Sequence, residues 1–236
     1  MNHEEFQSVM KYAPYLMFDE KEPFSVYNIG YMIFHETGLS DSFRRIVRVH
    51  KEKVKFAIEY QIFFYYDIQH LYELEHVWVY VGHDGNVCGC EGSYHGKYMN
   101  EMLPGGDILR DRTHVCLYSQ PGKHALLPEK RLISLYPELE LVCGELAGAD
   151  GFAYPEQLYG VKIPITEDEQ QMVRDYIKEN YSFTPSMVFV AKPFSFSQFL
   201  PWKILKGQIP ILLEKELDKI RRVTEDKKQQ MMADLR

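Results

Sequence analysis

Tyr65-Tyr66-Asp67-Ile68-Gln69-His70-Leu71-Tyr72-Glu73-Leu74-Glu75-His76-Val77-Trp78-Val79-Tyr80-Val81 is the stretch on which the fold turns. Its second half alternates. Glu75, Val77, Val79 and Val81 fall on one face and His76, Trp78 and Tyr80 on the other, the period-two pattern of a strand. Asp84-Gly85 follows as a two-residue hairpin signal, because positive φ costs little there, and residues 86 to about 90 read as the return strand. Upstream, 53–66 reads as a strand that runs into an acidic loop spanning Asp67 to Glu75.

Working outward, residues 6–10 suggest a short helix and 12–18 an apolar strand. Further strands are expected at 26–34, 44–49 and 114–119. Strands about 10 residues apart with turn signals between them describe a mainly β chain, an antiparallel β-sandwich. Thr166-Glu167-Asp168-Glu169 is a capping box opening a helix that should end near Asn180. A second helix is expected from about 211 to 236, amphipathic at first and polar at its end. The aromatic run 194–202 reads as a strand or edge packed into the core. The expected organisation is therefore a sandwich over 1–160 and a helical extension over 161–236, packed outside the sandwich or at one edge. Residues 144–160, rich in Gly, Ala and Pro, read as a long irregular connection, a class of loop that is usually functional or mobile.

Composition narrows the function. The 236 residues are 45% hydrophobic and 14% aromatic, enough for a sizeable core, and 17 Tyr and 14 Phe favour strands. A formal charge of -7 argues against nucleic acid as the main partner, which requires a basic surface. The N-terminus lacks the basic and apolar regions of a signal peptide, and no apolar run approaches the roughly 18 residues of a membrane span. The expected location is the cytoplasm, with Cys88, Cys90, Cys116 and Cys143 reduced. Cys88 and Cys90 read as small core residues on one face, without the CxxC spacing of a thiolate metal site.

The chemistry sits in the opening stretch. Asp67, Glu73 and Glu75 bring three carboxylates and His70 and His76 two imidazoles within ten residues, a density that suits a divalent ion, Mg, Ca, Mn or Zn. In an extended chain His70, Glu73 and Glu75 cannot share one side; a turn through Leu71-Tyr72 would fold them together, with Asp67 joining from the preceding strand. The plain alternative is a solvated acidic loop with His76 an ordinary outward histidine. His124, in the turn Gln120-Pro121-Gly122-Lys123-His124, is expected to project from the rim as a metal ligand or general acid/base. His95, between Gly92 and Gly96, is a further candidate. No nucleophile elbow, Walker A loop, Gly-x-Gly-x-x-Gly or His-Glu-x-x-His is present.

His70-x-x-Glu73-x-Glu75 resembles the signature heptapeptide of the necrosis- and ethylene-inducing-peptide-like proteins, with Asp67 similar to their upstream aspartate. Glu75-His76-Val77-Trp78-Val79 also resembles a segment of a vacuolar-protein-sorting-type family. Tyr94-His95-Gly96 and the strand-to-turn segment 115–125 are similar to further pieces of both. The resemblance covers about 12–130. It implies a β-sandwich with a metal-dependent site at one end and a sugar or lipid head group as ligand. Leu74, Glu73 and Tyr72 depart from the family's tryptophan, aspartate and second histidine, and its secretion signal and disulfides are absent, so toxicity to plant membranes is not implied. The reading is a divalent-metal-binding sandwich that recognises a small-molecule, glycan or lipid head-group ligand through its ion. The alternative is a metal-dependent hydrolase with His124 as acid/base, for which the sequence offers no separate nucleophile.

Overall fold

The computed structural model describes residues 3–234. Its strands, in chain order, are β1 Tyr15–Asp19, β2 Asn28–Phe34, β3 Gly38–Leu39, β4 Ile46–Val47, β5 Val54–Tyr66, β6 His70–Gly82, β7 Val87–Tyr94, β8 Lys97–Asn100, β9 Leu109–Arg110, β10 His114–Ser119, β11 Leu126–Leu127, β12 Gly151–Phe152, β13 Phe189–Ala191 and β14 Phe199–Pro201. The helices are α1 His3–Lys11, α2 Lys130–Ile133, α3 Leu139–Cys143, α4 Glu156–Tyr159, α5 Glu167–Tyr181 and α6 Trp202–Asp234.

Two sheets make a sandwich. One runs β14-β2-β5-β6-β7-β8, with β12 on the free side of β6; the other runs β11-β10-β1-β13, with β9 on β10. Most pairings are antiparallel, as expected, but β1 pairs β10, β14 pairs β2 and β12 pairs β6 in parallel. Each parallel pair joins segments far apart in sequence, which local turn signals do not report. The main core lies between the sheets. Ile58, Tyr60, Ile62, Val77 and Val79 of the larger sheet meet Leu16, Phe18, Val115 and Leu117 of the smaller one. The valine face of β6 is thus the inner face. Its other face is buried too, because Trp78 and Tyr80 join Ala57, Val47 and Val49 in a second, smaller cluster beneath the chain that carries β3 and β4.

The strands are joined near Asp84-Gly85, but by the loop 83–86 rather than a two-residue turn: of Asp84 and Gly85 only the glycine has positive φ, 78°, its amide donates to the Gly82 carbonyl at 3.1 Å, and the Asp84 carboxylate accepts from the Asn86 amide at 3.1 Å. A bulge follows it. Tyr80 pairs Gly89 while Val81 pairs Val87, so Cys88 is the extra residue. The bulge turns Val87 and Cys90 inward and leaves Cys88 exposed, so only Cys90 is the core residue expected. All four cysteines are free thiols.

The C-terminal third is part of the same core. The Thr166 capping box forms with both reciprocal bonds and starts α5, which runs to Tyr181. α6 begins at Trp202, nine residues before the expected start, and runs through Pro210. A proline inside a helix normally marks a break; here Leu205, Ile209, Leu213 and Leu217 bury one continuous face against the sandwich, and tertiary packing overrides the local signal. The last two residues of the expected 211–236 helix lie outside the described residues. In the 194–202 run, Phe199 and Trp202 are buried while Phe196 is exposed, because Phe196 to Gln198 form one 3₁₀ turn rather than strand.

Glu101 follows β8 and is fully buried beneath Gly92, close enough that a Cβ on Gly92 would sit 2.8 Å from its Oε1. Burial pushes its carboxyl up to about 8, with the nearby Gly92 amide working weakly the other way. A folded-state pKa raised above the unfolded value removes stability as pH rises from about 4.5 toward 8, at up to about 1.4 kcal/mol per pH unit. Glu101→Gln is expected to leave stability nearly unchanged at pH 4.5 and to raise it progressively up to pH 8. Urea denaturation of both proteins across that range checks it; parallel pH profiles would show that Glu101 carries no such cost.

Candidate functional site

The expected acidic loop is much shorter than its sequence suggests. β5 ends at Tyr66 and β6 begins at His70, so only Asp67, Ile68 and Gln69 lie outside the strands, and Glu73 and Glu75 are strand residues. The loop is clamped from two sides. The Ile68 amide donates to the Gly122 carbonyl at 2.7 Å, and the Gly148 amide donates to the Ile68 carbonyl at 2.8 Å. Both glycines have positive φ and no room for a side chain: a Cβ on Gly122 would lie 2.8 Å from Ile68, and one on Gly148 2.2 Å from the Arg174 carbonyl oxygen. The 144–160 connection therefore has a structural task, since the Asp150 amide also donates to the Gln69 carbonyl at 2.9 Å and Gly151 pairs His70.

Tyr72 breaks the alternation of β6. Its φ of 89° is rare for a non-glycine residue, and it is the turn that the spacing of His70 and Glu73 demanded. Across it, ligand atoms of Asp67, His70 and Glu73 come within 4.8 Å of one another. Asp67 forms the floor, fully buried, and the side chains of His70, Glu73 and Lys123 keep 17, 15 and 13% of their surface exposed above it. The Asp67 Oδ1 accepts from the amides of Gln69 at 2.6 Å and His70 at 2.9 Å. Its Oδ2 faces His70 Nε2 at 3.4 Å and pairs with the Lys123 ammonium.

The imidazole of His70 is oriented for this cluster. Its Nδ1 lies 2.6 Å from the Tyr72 carbonyl oxygen. A carbonyl only accepts, so Nδ1 carries the proton and a neutral ring turns the Nε2 lone pair toward Asp67 and toward Glu73 Oε2, 4.0 Å away. Burial first, then Lys123, holds the His70 pKa below the ordinary histidine range, against the pull of Asp67 and the Tyr72 carbonyl. Burial, with the charges of Glu75 and Asp67, pushes Glu73 well above the usual carboxylate range, and Lys123 opposes this. For Lys123 burial works against the charge, but Asp67, Glu73 and Asp150 outweigh it and hold the ammonium above its ordinary pKa.

The remaining expected residues separate. Glu75 is pushed up to about 8 by burial and by Asp67, but its Oε2 is taken by the Ser93 hydroxyl and it stands outside the three-residue cluster. His76 is on the opposite face of β6, stacked on Trp78 with Nε2 2.9 Å from the Ser42 hydroxyl; burial and then Arg45 lower its pKa to about 3. It is not part of this site. His95 is exposed, donates from Nε2 to Gln120 Oε1 at 2.9 Å, and is held below the ordinary range by partial desolvation and by Lys123.

His124 does not project from the rim. It is 1% exposed, stacked face to face on Phe64 at 3.9 Å, edge-on to Phe24, with Nε2 3.4 Å from Glu22. The turn carries φ 70° at Gly122 and 61° at His124, which directs the imidazole inward and places Lys123, the residue before it, on the cluster. Sequence reading expected His124 at the rim, whereas Lys123 is the member of this turn that meets the cluster. It also missed Glu22, whose other oxygen accepts from the Gly122 amide at 2.8 Å, and the aromatic stack of Phe152, Tyr154 and Tyr159. That stack meets the site through Tyr72, whose hydroxyl lies 3.0 Å from that of Tyr159; burial first, then Tyr154 and Glu73, raise the Tyr159 pKa.

No family model matches this chain, and no curated protein matches it. Two solved structures are similar to part of it. NLPPya in complex with glucosamine aligns at 13% identity over 51% of this chain and 64% of that chain, with a TM-score of 0.33. A crystal structure of a triple mutant of NLPPya aligns at 16% identity over 50% and 63%, also with a TM-score of 0.33. NLPPya is a necrosis- and ethylene-inducing-peptide-like protein; the resemblance to a vacuolar-protein-sorting-type family has no counterpart in these comparisons. The matched region spans less than two thirds of NLPPya.

Lys123 is the counter-charge that sequence reading did not supply. Removing one partner of a buried ion pair strands the other at a cost of about 3–5 kcal/mol. Lys123→Met is expected to destabilise the cation-free protein by about that amount, and adding Asp67→Asn to restore most of it. Denaturation of the single and double variants in chelator measures the coupling; additive effects would show that the pair contributes nothing.

Proposed function

We propose that this chain is a divalent-cation-dependent binding protein in which Asp67, His70 and Glu73 hold one ion. The observation that carries the reading is the His70 ring, whose Nδ1 donates to a backbone carbonyl and whose Nε2 lone pair faces two carboxylates. In the cation-free site Lys123 meets Asp67 and burial drives Glu73 toward its protonated form; a divalent ion would replace both, and an imidazole anchored through its other nitrogen is the usual arrangement of a metal-ligating histidine. Two carboxylates and one imidazole suit Mg, Mn, Ca or Zn. Lys123, paired with Asp67, is the competing cation that an incoming ion displaces.

Three protein donors do not fill the coordination sphere of any of these ions, so ligand oxygens can complete it. When bound, the ion supplies an electrostatic anchor for hydroxyl or phosphate oxygens. The neighbouring Tyr154 and Tyr159 rings, partly exposed, 5.2 Å apart and backed by the buried Phe152 ring, supply an apolar platform of the kind on which a sugar ring packs. A sugar or a polar lipid head group is the ligand class this combination favours.

Calorimetric titration of chelator-treated protein with Mg, Ca, Mn and Zn is expected to show one ion per chain. Asp67→Asn/Glu73→Gln is expected to weaken it by more than about 100-fold, because loss of outer-shell partners alone costs about 10–100-fold. His76→Gln, on the opposite face of the strand, should leave it unchanged. Failure of the unaltered protein to retain any of the four ions would overturn the reading. Retention of glycans or lipid head groups that disappears on adding chelator would identify the ligand.

A further inference from the structure

We propose that the β3–β4 hairpin, with the segment that follows it to Lys53, is a docking surface for an anionic lipid bilayer. The proposal does not use the ion site. It rests on a local charge that opposes the charge of the whole chain, and on apolar side chains exposed beside it.

Residues 44–53 carry five Lys or Arg and one acid, Glu52, a formal +4 in a chain of net -7; with buried Arg45 paired to Glu91, the exposed residues of the segment carry +3. Arg44, Arg48, Lys51 and Lys53 are all exposed. Among nearby acids, Glu36 lies 3.7 Å from Lys51 in a loose pair, and Asp41 is occupied by Lys206 and the Trp202 indole. Lys55 belongs to a separate cleft beside Glu4 and Glu5 and is not counted in the surface. The buried member, Arg45, acts as the anchor. Its guanidinium lies 4.2 Å from the Trp78 ring and 3.8 Å from the Tyr98 ring, and donates to Glu91 at 2.6 Å and to the Tyr80 hydroxyl at 3.1 Å. This fixes the hairpin to the outer face of β6 and places Arg48 and His50 along a cleft of about 300 Å³ with Tyr98.

The apolar component is specific. Leu39 and Ile46 are direct cross-strand partners in β3–β4, and they are 75% and 43% exposed. Their strand neighbour Val47 is fully buried, so the strand puts one apolar residue into the core and its partner pair into solvent. Tyr98, stacked against Arg45 on the edge strand β8, is also exposed and lines the same cleft as Ile46. Aliphatic side chains at a tip, a tyrosine beside them and lysine and arginine around them match the bilayer interface, where apolar groups enter the acyl boundary and basic groups meet anionic head groups. A nucleic acid would use the charge and leave the Leu39–Ile46 pair in water.

Co-sedimentation with vesicles of phosphatidylcholine, and of phosphatidylcholine containing phosphatidylserine, tests the surface. It is done in EDTA, so that failure of the ion reading and failure of this one are separate results. Retention is expected only on the phosphatidylserine vesicles and is expected to fall as salt is raised. Arg48→Glu/Lys53→Glu should weaken partitioning by about tenfold or more. Leu39→Ser/Ile46→Ser should weaken it at unchanged charge, and circular dichroism of both exposed double variants confirms the fold. Equal retention on both vesicles, retention on neither, or retention on phosphatidylserine that neither variant alters would overturn the proposal. So would tighter binding to duplex DNA that the charge reversal abolishes.

Discussion

A carboxylate with no access to water is the constraint around which this end of the molecule is arranged. Asp67 carries its group at the floor of a cleft, and an unsolvated charge costs far more than one or two hydrogen bonds return. Two backbone amides and one ammonium meet it. Each of those partners depends on backbone geometry that other residues enforce. The amides point inward because Gly122 and Gly148 grip Ile68 from either side, and Lys123 reaches Asp67 because the 120–124 turn directs His124 into the core.

The same constraint explains the uneven state of the acids. Asp67 is paired, while Glu73 and Glu75 sit in the same low-dielectric region without a cation of their own, and burial drives both toward the protonated form. One ammonium cannot serve three carboxylates. The ion proposed above would answer that arithmetic for Asp67 and Glu73, since its charge is larger and its coordination sphere can take oxygens from both. The outer face of β6 follows a different rule. There the guanidinium of Arg45 lies against two rings and donates through Nη2 to a phenol and a carboxylate, and it holds a segment rather than a ligand.

Much of the architecture was legible because it is local. The alternation of 75–81, the turn signal at Asp84-Gly85 and the Thr166 capping box each act within a few residues; the strand and the capping box formed as read, and the chain reverses at the turn signal through a longer loop, 83–86. Errors arose where a distant segment decided the outcome. Pro210 sits inside α6 because the helix is held along its length by the sandwich, and Cys88 is exposed because a bulge against Tyr80–Val81 shifts the parity of β7.

For the site, the sequence by itself determined which chemistry was available: carboxylates and an imidazole, spaced so that a turn at Tyr72 was required to bring His70 and Glu73 together. Spacing carries that information because strand periodicity is a property of the backbone. Only the tertiary structure decided who completes the set. Lys123 lies more than fifty residues from Asp67, Ser93 withdraws Glu75, and His124 is enclosed by Phe64, Phe24 and Glu22. Electrostatic partnership depends on distance in space and on exclusion of water, and neither is encoded in the spacing of residues along the chain.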